Sequence, residues 1–292
     1  MQHEKMQRIV YVNGTFVPEN DAKISIFDRG FLFADGVYEV TGVLQGQMIE
    51  NNQHLERLHR SLSELDIPSP IDDQKIIAVQ KELIRRNRLE EGIVYLQVTR
   101  GAADRDFAFP KEVLPSLVAF TQKKSLLNAP VAEKGIRIIT TPDIRWGRPD
   151  IKTVGLLASS MAKMQAIHEG KDDAWFVDSN GRITEATASN AYIITHDNKL
   201  VTRHLSKAIL SGITRRSILA LAHKNDISFE ERPFTVDEAQ NAKEAFMTGS
   251  AAFVVPIVEI NNHPIGTGRP GELALKLLRL YSHMALAQTA IK

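Results

Sequence analysis

The chain has 292 residues, 43% of them apolar and 24% charged, the composition of a globular protein long enough for two domains. Its 36 Lys and Arg against 35 Asp and Glu leave a net charge of +1, which gives no electrostatic reason for a nucleic-acid or anionic-membrane partner. There is no cysteine, so disulfides, thiolate zinc sites and a cysteine nucleophile are excluded. MQHEKMQRIVYVNG has no signal-peptide core and no run of roughly 18 apolar residues occurs, so a soluble, cytoplasmic protein is expected.

Arg8–Val17 is two short β-rich runs around Asn13-Gly14, a strong hairpin signal. A loop through Asp28-Arg29-Gly30 leads to strands at Val37–Leu44 and Gln47–Glu50, joined at Gln45-Gly46. Leu55, Leu58, Leu62 and Leu65 are spaced as one face of a helix within Asn51–Asp66. Asp72–Leu89 reads as a second helix, with Asp72 or Asp73 as cap and Ile76, Val79 and Leu83 inward. Ile93–Thr99 and Ser116–Thr121 are strands around the loop RGAADRDFAFPKEVLP. Lys123–Lys134 has few large apolar groups and reads as a linker.

Gly135–Thr141 opens a second series with a strand. A helix is expected over Thr153–Glu169, ended by Gly170 in the left-handed position. Strands follow at Ala174–Val177, Arg182–Glu185, Ala191–Thr195 and Lys199–Thr202. The remaining expected elements are helix Gly212–Asn225, strand Ile227–Glu231, a short helix near Val236–Asn241, strands Ala245–Thr248 and Val254–Ile260, and the closing amphipathic helix Gly271–Gln288.

The nine histidines show no metal-ligand spacing, and no metal site is expected. GxGxxG after a strand, GxSxG and the P-loop are all missing. One lysine stands out. Lys152, in DIKTVGLLASS, lies among Ile151, Val154, Leu156 and Leu157, where lost hydration would disfavour the ammonium form. Such an amine can form a Schiff base. The plainer reading is a lysine near a helix start that snorkels into water. Further on come Glu185 in NGRITEATASN, then LSGITR entering a helix, then MTGSAA ending a strand.

In this order, and together with FADGVYEV, HLERL, VYLQVTRG and DIRW, these stretches resemble the fold-type IV pyridoxal-phosphate enzymes. That family includes D-amino acid transaminases, branched-chain transaminases, aminodeoxychorismate lyase and some amine transaminases. The likeness runs from about Tyr11 to Pro256. It implies an α/β (α+β) fold of two domains: a small N-terminal one over 1–123, a linker over 124–134, and a larger C-terminal one over 135–292 with a pseudo-barrel sheet. It also implies pyridoxal 5'-phosphate as cofactor, amino acid and 2-oxo acid substrates, and a homodimer with its site between domains and near the subunit interface.

By the same resemblance Lys152 is the Schiff-base lysine, which also moves the proton at the substrate Cα. Glu185 holds the pyridine nitrogen protonated, which makes the ring an electron sink. Arg57 pairs the cofactor phosphate; a solvated helix arginine is the alternative. Ile213 and Thr214 offer N–H groups and a hydroxyl at a helix N-terminus, and Ser250 and Ala251 complete the phosphate cup. Leu210 packs on one face of the ring, or is simply a core leucine. On the substrate side, Tyr38 and Tyr95 line the pocket and Arg105 holds the α-carboxylate with its fork of donors, across the dimer interface in relatives. Relatives commonly carry histidine two residues after that arginine, where this chain has Phe107.

The likeness of the first half, Arg105, DGVYEV and DIRW favour a D-amino acid transaminase acting with 2-oxoglutarate or pyruvate as acceptor. Phe107 keeps two other activities of the scaffold open, a pyruvate-eliminating aminodeoxychorismate lyase and a branched-chain L-amino acid transaminase. A cofactor-binding protein without turnover is the remaining alternative, against which stands the retention of Lys152 and Glu185.

Overall fold

In the computed structural model, which describes residues 7–290, the local signals are realised first. Residues 1–6, part of the stretch read for a targeting segment, and 291–292 lie outside the described residues. The chain divides into two units. The first takes the described residues up to Ser125, with Ile151–Gly155 and the residues from Thr289. The second takes Leu126–Asp150 and Leu156–Gln288. No described helix is long and apolar enough to cross a membrane.

In the first unit, Asn13 (φ 45°) and Gly14 (φ 99°) both adopt the left-handed backbone that a two-residue hairpin demands. They join β1 (Ile9–Val12) to β2 (Thr15–Pro18). The short helix α1 (Arg29–Phe33) is capped by Asp28, whose carboxylate accepts from Gly30 N–H. At five residues it is too short to leave a periodic signal, and the sequence there reads as loop. Then come β3 (Gly36–Leu44), β4 (Gln47–Met48), α2 (Asn51–Glu64), α3 (Asp73–Arg86), β5 (Glu91–Thr99) and β6 (Ser116–Lys123). Asp72 caps α3 by accepting from Lys75 N–H at 2.9 Å.

The six strands form one antiparallel sheet in the order β2-β1-β6-β5-β3-β4. Leu55, Leu58 and Leu62 of α2 and Ile76, Val79 and Leu83 of α3 pack on Val37, Leu96, Val98, Leu117 and Ala119 of the sheet. Burying a leucine of this kind contributes about 1.5–3 kcal/mol. Strand alternation sends Tyr38, Tyr95, Val118 and Phe120 to the other face, where they stay half-buried.

In the second unit, α4 (Pro130–Lys134) occupies part of the stretch read as a linker, and β7 (Ile136–Pro142) follows it. The next elements are α5 (Leu157–His168), β8 (Asp173–Val177), β9 (Ile183–Ala186), β10 (Asn190–Ile194), β11 (Leu200–Thr202), α6 (Ile213–Lys224) and β12 (Phe229–Glu231). The chain closes with α7 (Val236–Gln240), β13 (Glu244–Gly249), β14 (Phe253–Ile260), β15 (His263–Pro264) and α8 (Glu272–Ala290). Pairing runs β10-β13-β14-β7-β8-β9 and returns from β9 to β10, so six strands close into a barrel, the pseudo-barrel implied by the resemblance. Alternate residues Ile138, Trp175, Ile183, Ile193, Ala245, Met247, Val255 and Ile257 belong to one buried core. β11 and β12 extend from β10, and β15 from β14.

One helix start differs from expectation. α5 begins at Leu157, not Thr153. The reason lies in β3: Tyr38 N–H donates to Lys152 O at 3.0 Å, Val154 N–H donates to Gly36 O at 3.0 Å, and Thr153 bridges Val37. Backbone groups spent on a neighbouring strand cannot also close a helical turn. The expected end holds, with Gly170 at φ 70° just beyond α5.

Candidate active site

The sequence-derived site residues fall into a set in each unit. In the first, Lys152 sits on the extended segment beside β3, its N–H directed at Ser61 Oγ of α2 at 3.4 Å. Leu156 and Leu157, expected to help enclose the amine, are 41% and 74% exposed. The group that does cover it is aromatic: Lys152 Nζ lies 4.1 Å from the centroid of the Tyr38 ring. Tyr38 stacks on Tyr95 at 5.4 Å, and Tyr95 on Phe120 at 4.7 Å. Tyr95 OH donates to Gln97 Oε1 at 2.8 Å, and burial, helped by Tyr38, pushes its phenol pKa well above the ordinary value. Lys152, Tyr38 and Tyr95 thus share one face of the sheet.

Glu39, the next residue on β3, points to the helix-covered face. There Arg57 of α2 donates Nε to Glu39 Oε1 and Nη2 to Oε2, each at 2.8 Å. His54, three residues before Arg57 and on the same helix face, places Nδ1 2.7 Å from Glu39 Oε2. Burial alone would push the Glu39 carboxyl up, but the Arg57 charge and hydrogen bonds, with those of His54, hold it well below the usual carboxylate range. Burial pushes His54 down, against the pull of Glu39. Arg57, read as the phosphate partner, is therefore also half of a bidentate ion pair. Glu39 and His54 escaped the sequence reading, although a carboxylate at an inward position of a strand calls for a buried cation.

Arg105 is exposed on the loop between β5 and β6. Its guanidinium lies 5.3 Å from the Phe33 ring centroid and 5.6 Å from that of Phe107, and the two rings are 5.6 Å apart. Phe107 itself is 79% exposed.

In the second unit Glu185 is buried on β9 and accepts from three donors. Arg145 Nη1 donates to Oε1, while Asn190 Nδ2 and Leu210 N each donate to Oε2 at 3.1 Å. Such a set of donors suits an ionised carboxylate. Arg145 is itself held by Asp143, from Nε at 2.9 Å and Nη2 at 2.6 Å, and Thr184 Oγ1 donates to Asp143 Oδ2 at 2.8 Å. Burial opposes the Arg145 charge, but Asp143 and Glu185 raise its pKa above the ordinary value. Arg145 and Asn190 stand in the DIRW and ITEATASN stretches but carried no assigned role, since nothing local in the sequence joins them to Glu185.

Asn190 Nδ2 also donates to Leu210 O at 2.9 Å, which ties the approach to α6 to the barrel. Gly212 follows, where a Cβ would stand 2.0 Å from Asn190 Oδ1, so only glycine fits. No side chain caps α6 at this residue. Ile213 and Thr214 form the first turn, and both are buried. Thr214 Oγ1, on a residue 2% exposed, has no hydrogen-bond partner among the described residues. Asn190 pairs with Thr248 of β13, so the turn carrying Ser250 and Ala251 leaves the barrel at the same end. A helix N-terminus with no cap side chain at Gly212 and an orphaned buried hydroxyl on Thr214 fits a phosphate group such as that of pyridoxal phosphate.

Residues 36–260 match the model of the family described as amino-transferase class IV. A D-alanine aminotransferase of Staphylococcus aureus (strain MSSA476) is 35% identical over 272 residues, covering 92% of this chain and 94% of that protein. A D-alanine aminotransferase of Bacillus licheniformis is 34% identical, covering 96% and 98%. Among solved structures, a putative 4-amino-4-deoxychorismate lyase of Legionella pneumophila superposes with a TM-score of 0.80 at 26% identity, covering 91% of this chain and 96% of that one. The chain belongs to the amino-transferase class IV family and is an aminotransferase of that class.

Proposed function

We propose that this protein is a pyridoxal-phosphate-dependent D-amino acid transaminase, which exchanges an amino group between a D-amino acid such as D-alanine and 2-oxoglutarate or pyruvate. The observation that carries the reading is the match to D-alanine aminotransferases at 35% identity over 92% of the chain.

When bound, the cofactor supplies an aldehyde and an electron-withdrawing ring. Lys152 Nζ is the amine for that aldehyde and the base that takes and returns the proton at the substrate Cα. Glu185, steadied by Arg145, Asn190 and Leu210 N–H, holds a proton on the ring nitrogen. Thr214, the first N–H groups of α6, Ser250, Ala251 and Arg57 bind the phosphate. Leu210 supports one face of the ring. Tyr38 and Tyr95 line the substrate side, and Arg105 binds the α-carboxylate through paired N–H groups. A homodimer and a cytoplasmic setting belong to the same reading and rest on the family resemblance.

Phe107 supports a second reading within the scaffold, because it brings a ring where relatives have a donor. A coupled panel on the loaded enzyme separates the readings. D-alanine and D-glutamate, but not L-leucine, should turn over with 2-oxoglutarate. Turnover of L-leucine alone would make the protein a branched-chain enzyme, and pyruvate released from aminodeoxychorismate without an acceptor would make it the lyase.

A further inference from the structure

The loop that carries Arg105 has no regular structure, yet it is tied down from beneath by a second arginine. Arg29, the first residue of α1, is 2% exposed. Its Nη1 donates to Asp106 O at 2.6 Å and reaches Ala108 O at 3.4 Å, the carbonyls on either side of Phe107. Its Nε donates to Asp35 Oδ2 at 2.7 Å. Arg100 donates to the same Asp35 oxygen at 2.8 Å, and to Leu65 O and Asp66 O at 2.7 and 3.1 Å.

Aromatic rings fill the spaces between these cations. Arg29 lies 4.6 Å from the Phe33 ring and 5.6 Å from that of Phe109, and Arg100 lies 3.6 Å from Phe109. Phe33 is in turn one of the two rings against Arg105. The backbone is pinned alongside: Arg29 N–H donates to Gly101 O at 2.8 Å and Ala103 N–H to Phe27 O at 3.2 Å.

We infer that Arg29 is a positioning residue for substrate binding: by gripping the carbonyls of Asp106 and Ala108 it sets Phe107 on Phe33, and the two rings hold the Arg105 guanidinium ready for an α-carboxylate. The inference rests on the reading of Arg105 as the carboxylate trap. Aromatic rings contact a guanidinium without offering it a carboxylate or carbonyl acceptor, so its N–H groups stay available to the substrate. Phe107 thus acts on orientation where a histidine would add a donor. An exposed arginine loses much rotamer freedom when it binds, and a pre-set one loses less.

The test uses full-length, pyridoxal-phosphate-loaded protein and the variants Arg29→Lys, Phe33→Leu and Arg105→Ala. Lysine keeps the charge but has a single nitrogen, which cannot reach Asp35 and the loop carbonyls together as Nε and Nη1 of Arg29 do. Phe33→Leu leaves the buried hydrogen bonds whole. The first half-reaction is followed by cofactor absorbance with D-alanine and with 2-butylamine, which has no carboxylate. Amide hydrogen exchange is read across 101–110 and across β5.

Arg29→Lys and Phe33→Leu should each raise half-saturation by D-alanine about tenfold, with the maximal rate and 2-butylamine unaffected. Exchange over 101–110 should accelerate in Arg29→Lys while β5 keeps its protection. Unchanged D-alanine saturation in Arg29→Lys, equal loss on both amines, or lost protection in β5 would each overturn the inference. An Arg105→Ala variant that saturates like wild type would instead remove the carboxylate-trap reading. If wild type takes L-leucine and not D-alanine, the stereochemical reading falls and the variants are scored on L-leucine in the same way.

Discussion

Asn190 donates its side-chain amide both to Glu185 Oε2 and to Leu210 O, and the backbones of Asn190 and Glu185 form the pair through which β9 meets β10. The residue whose side chain orients the buried carboxylate and fixes the approach to α6 therefore also closes the barrel through its backbone. Replacing the side chain removes a donor from Glu185 and leaves a carbonyl unpaired. Asn190→Ala should cost about 1–3 kcal/mol in urea unfolding of the cofactor-free protein, and should weaken cofactor retention as well. A variant as stable as wild type, with the same retention, would show that Arg145 and Leu210 N–H suffice.

Lys152→Ala addresses the chemistry with little risk to the fold. The segment is held by main-chain hydrogen bonds to Gly36 and Tyr38, which the substitution leaves in place. Turnover should fall by on the order of 10³ or more, with thermal unfolding of the cofactor-free protein changed by less than about 0.5 kcal/mol. Full activity in the variant would end the assignment of Lys152.

Thr214→Val separates binding from folding. Without ligand the hydroxyl has no partner among the described residues, so its loss should leave the cofactor-free protein as stable as before or slightly more so. A hydrogen bond to a charged phosphate is worth about 1.5–3 kcal/mol, so cofactor affinity measured by absorbance titration should drop about 10- to 100-fold. Unchanged affinity would place the phosphate elsewhere.

Acid should act on the Glu39–His54–Arg57 group in two stages. Burial lowers His54 below its ordinary 6.5, so the unfolded chain takes up that proton first and stability declines as pH falls past 6.5. Glu39 lies below its ordinary 4.5, so its contribution is present above 4.5 and is lost as pH falls further. His54→Gln should flatten the first stage of a stability–pH curve and leave the second. Glu39→Gln should cost about 3–5 kcal/mol at neutral pH, because it leaves Arg57 buried beside a neutral partner. An unaltered curve in His54→Gln would assign the first stage to another group.

Much of the fold was legible because its signals are local. Asn13-Gly14 reads as a hairpin turn since few residues tolerate two left-handed positions in a row. Leu55, Leu58 and Leu62 reveal the buried face of α2 because about 3.6 residues per turn brings them together wherever that face packs. Asp72 signals the start of α3 because its carboxylate satisfies an N–H only three residues away. Lys152 and Glu185 stood out through the order of several motifs along the chain rather than through either residue alone.

Local signals along the chain thus specify the elements, most of their bounds, the family, and the residue types offered to the chemistry. The tertiary structure decided the partners: Arg145 and Asn190 on Glu185, Glu39 on Arg57, Tyr38 on Lys152, and Arg29 under the loop of Arg105. It also decided that Thr153 pairs with Val37 instead of starting a helix. These contacts join residues far apart in the chain or on different strands and helices, and they form only when sheet register and helix packing are complete. Local propensity extends over a few residues, whereas the pairing of a buried charge depends on which distant group the fold delivers to it.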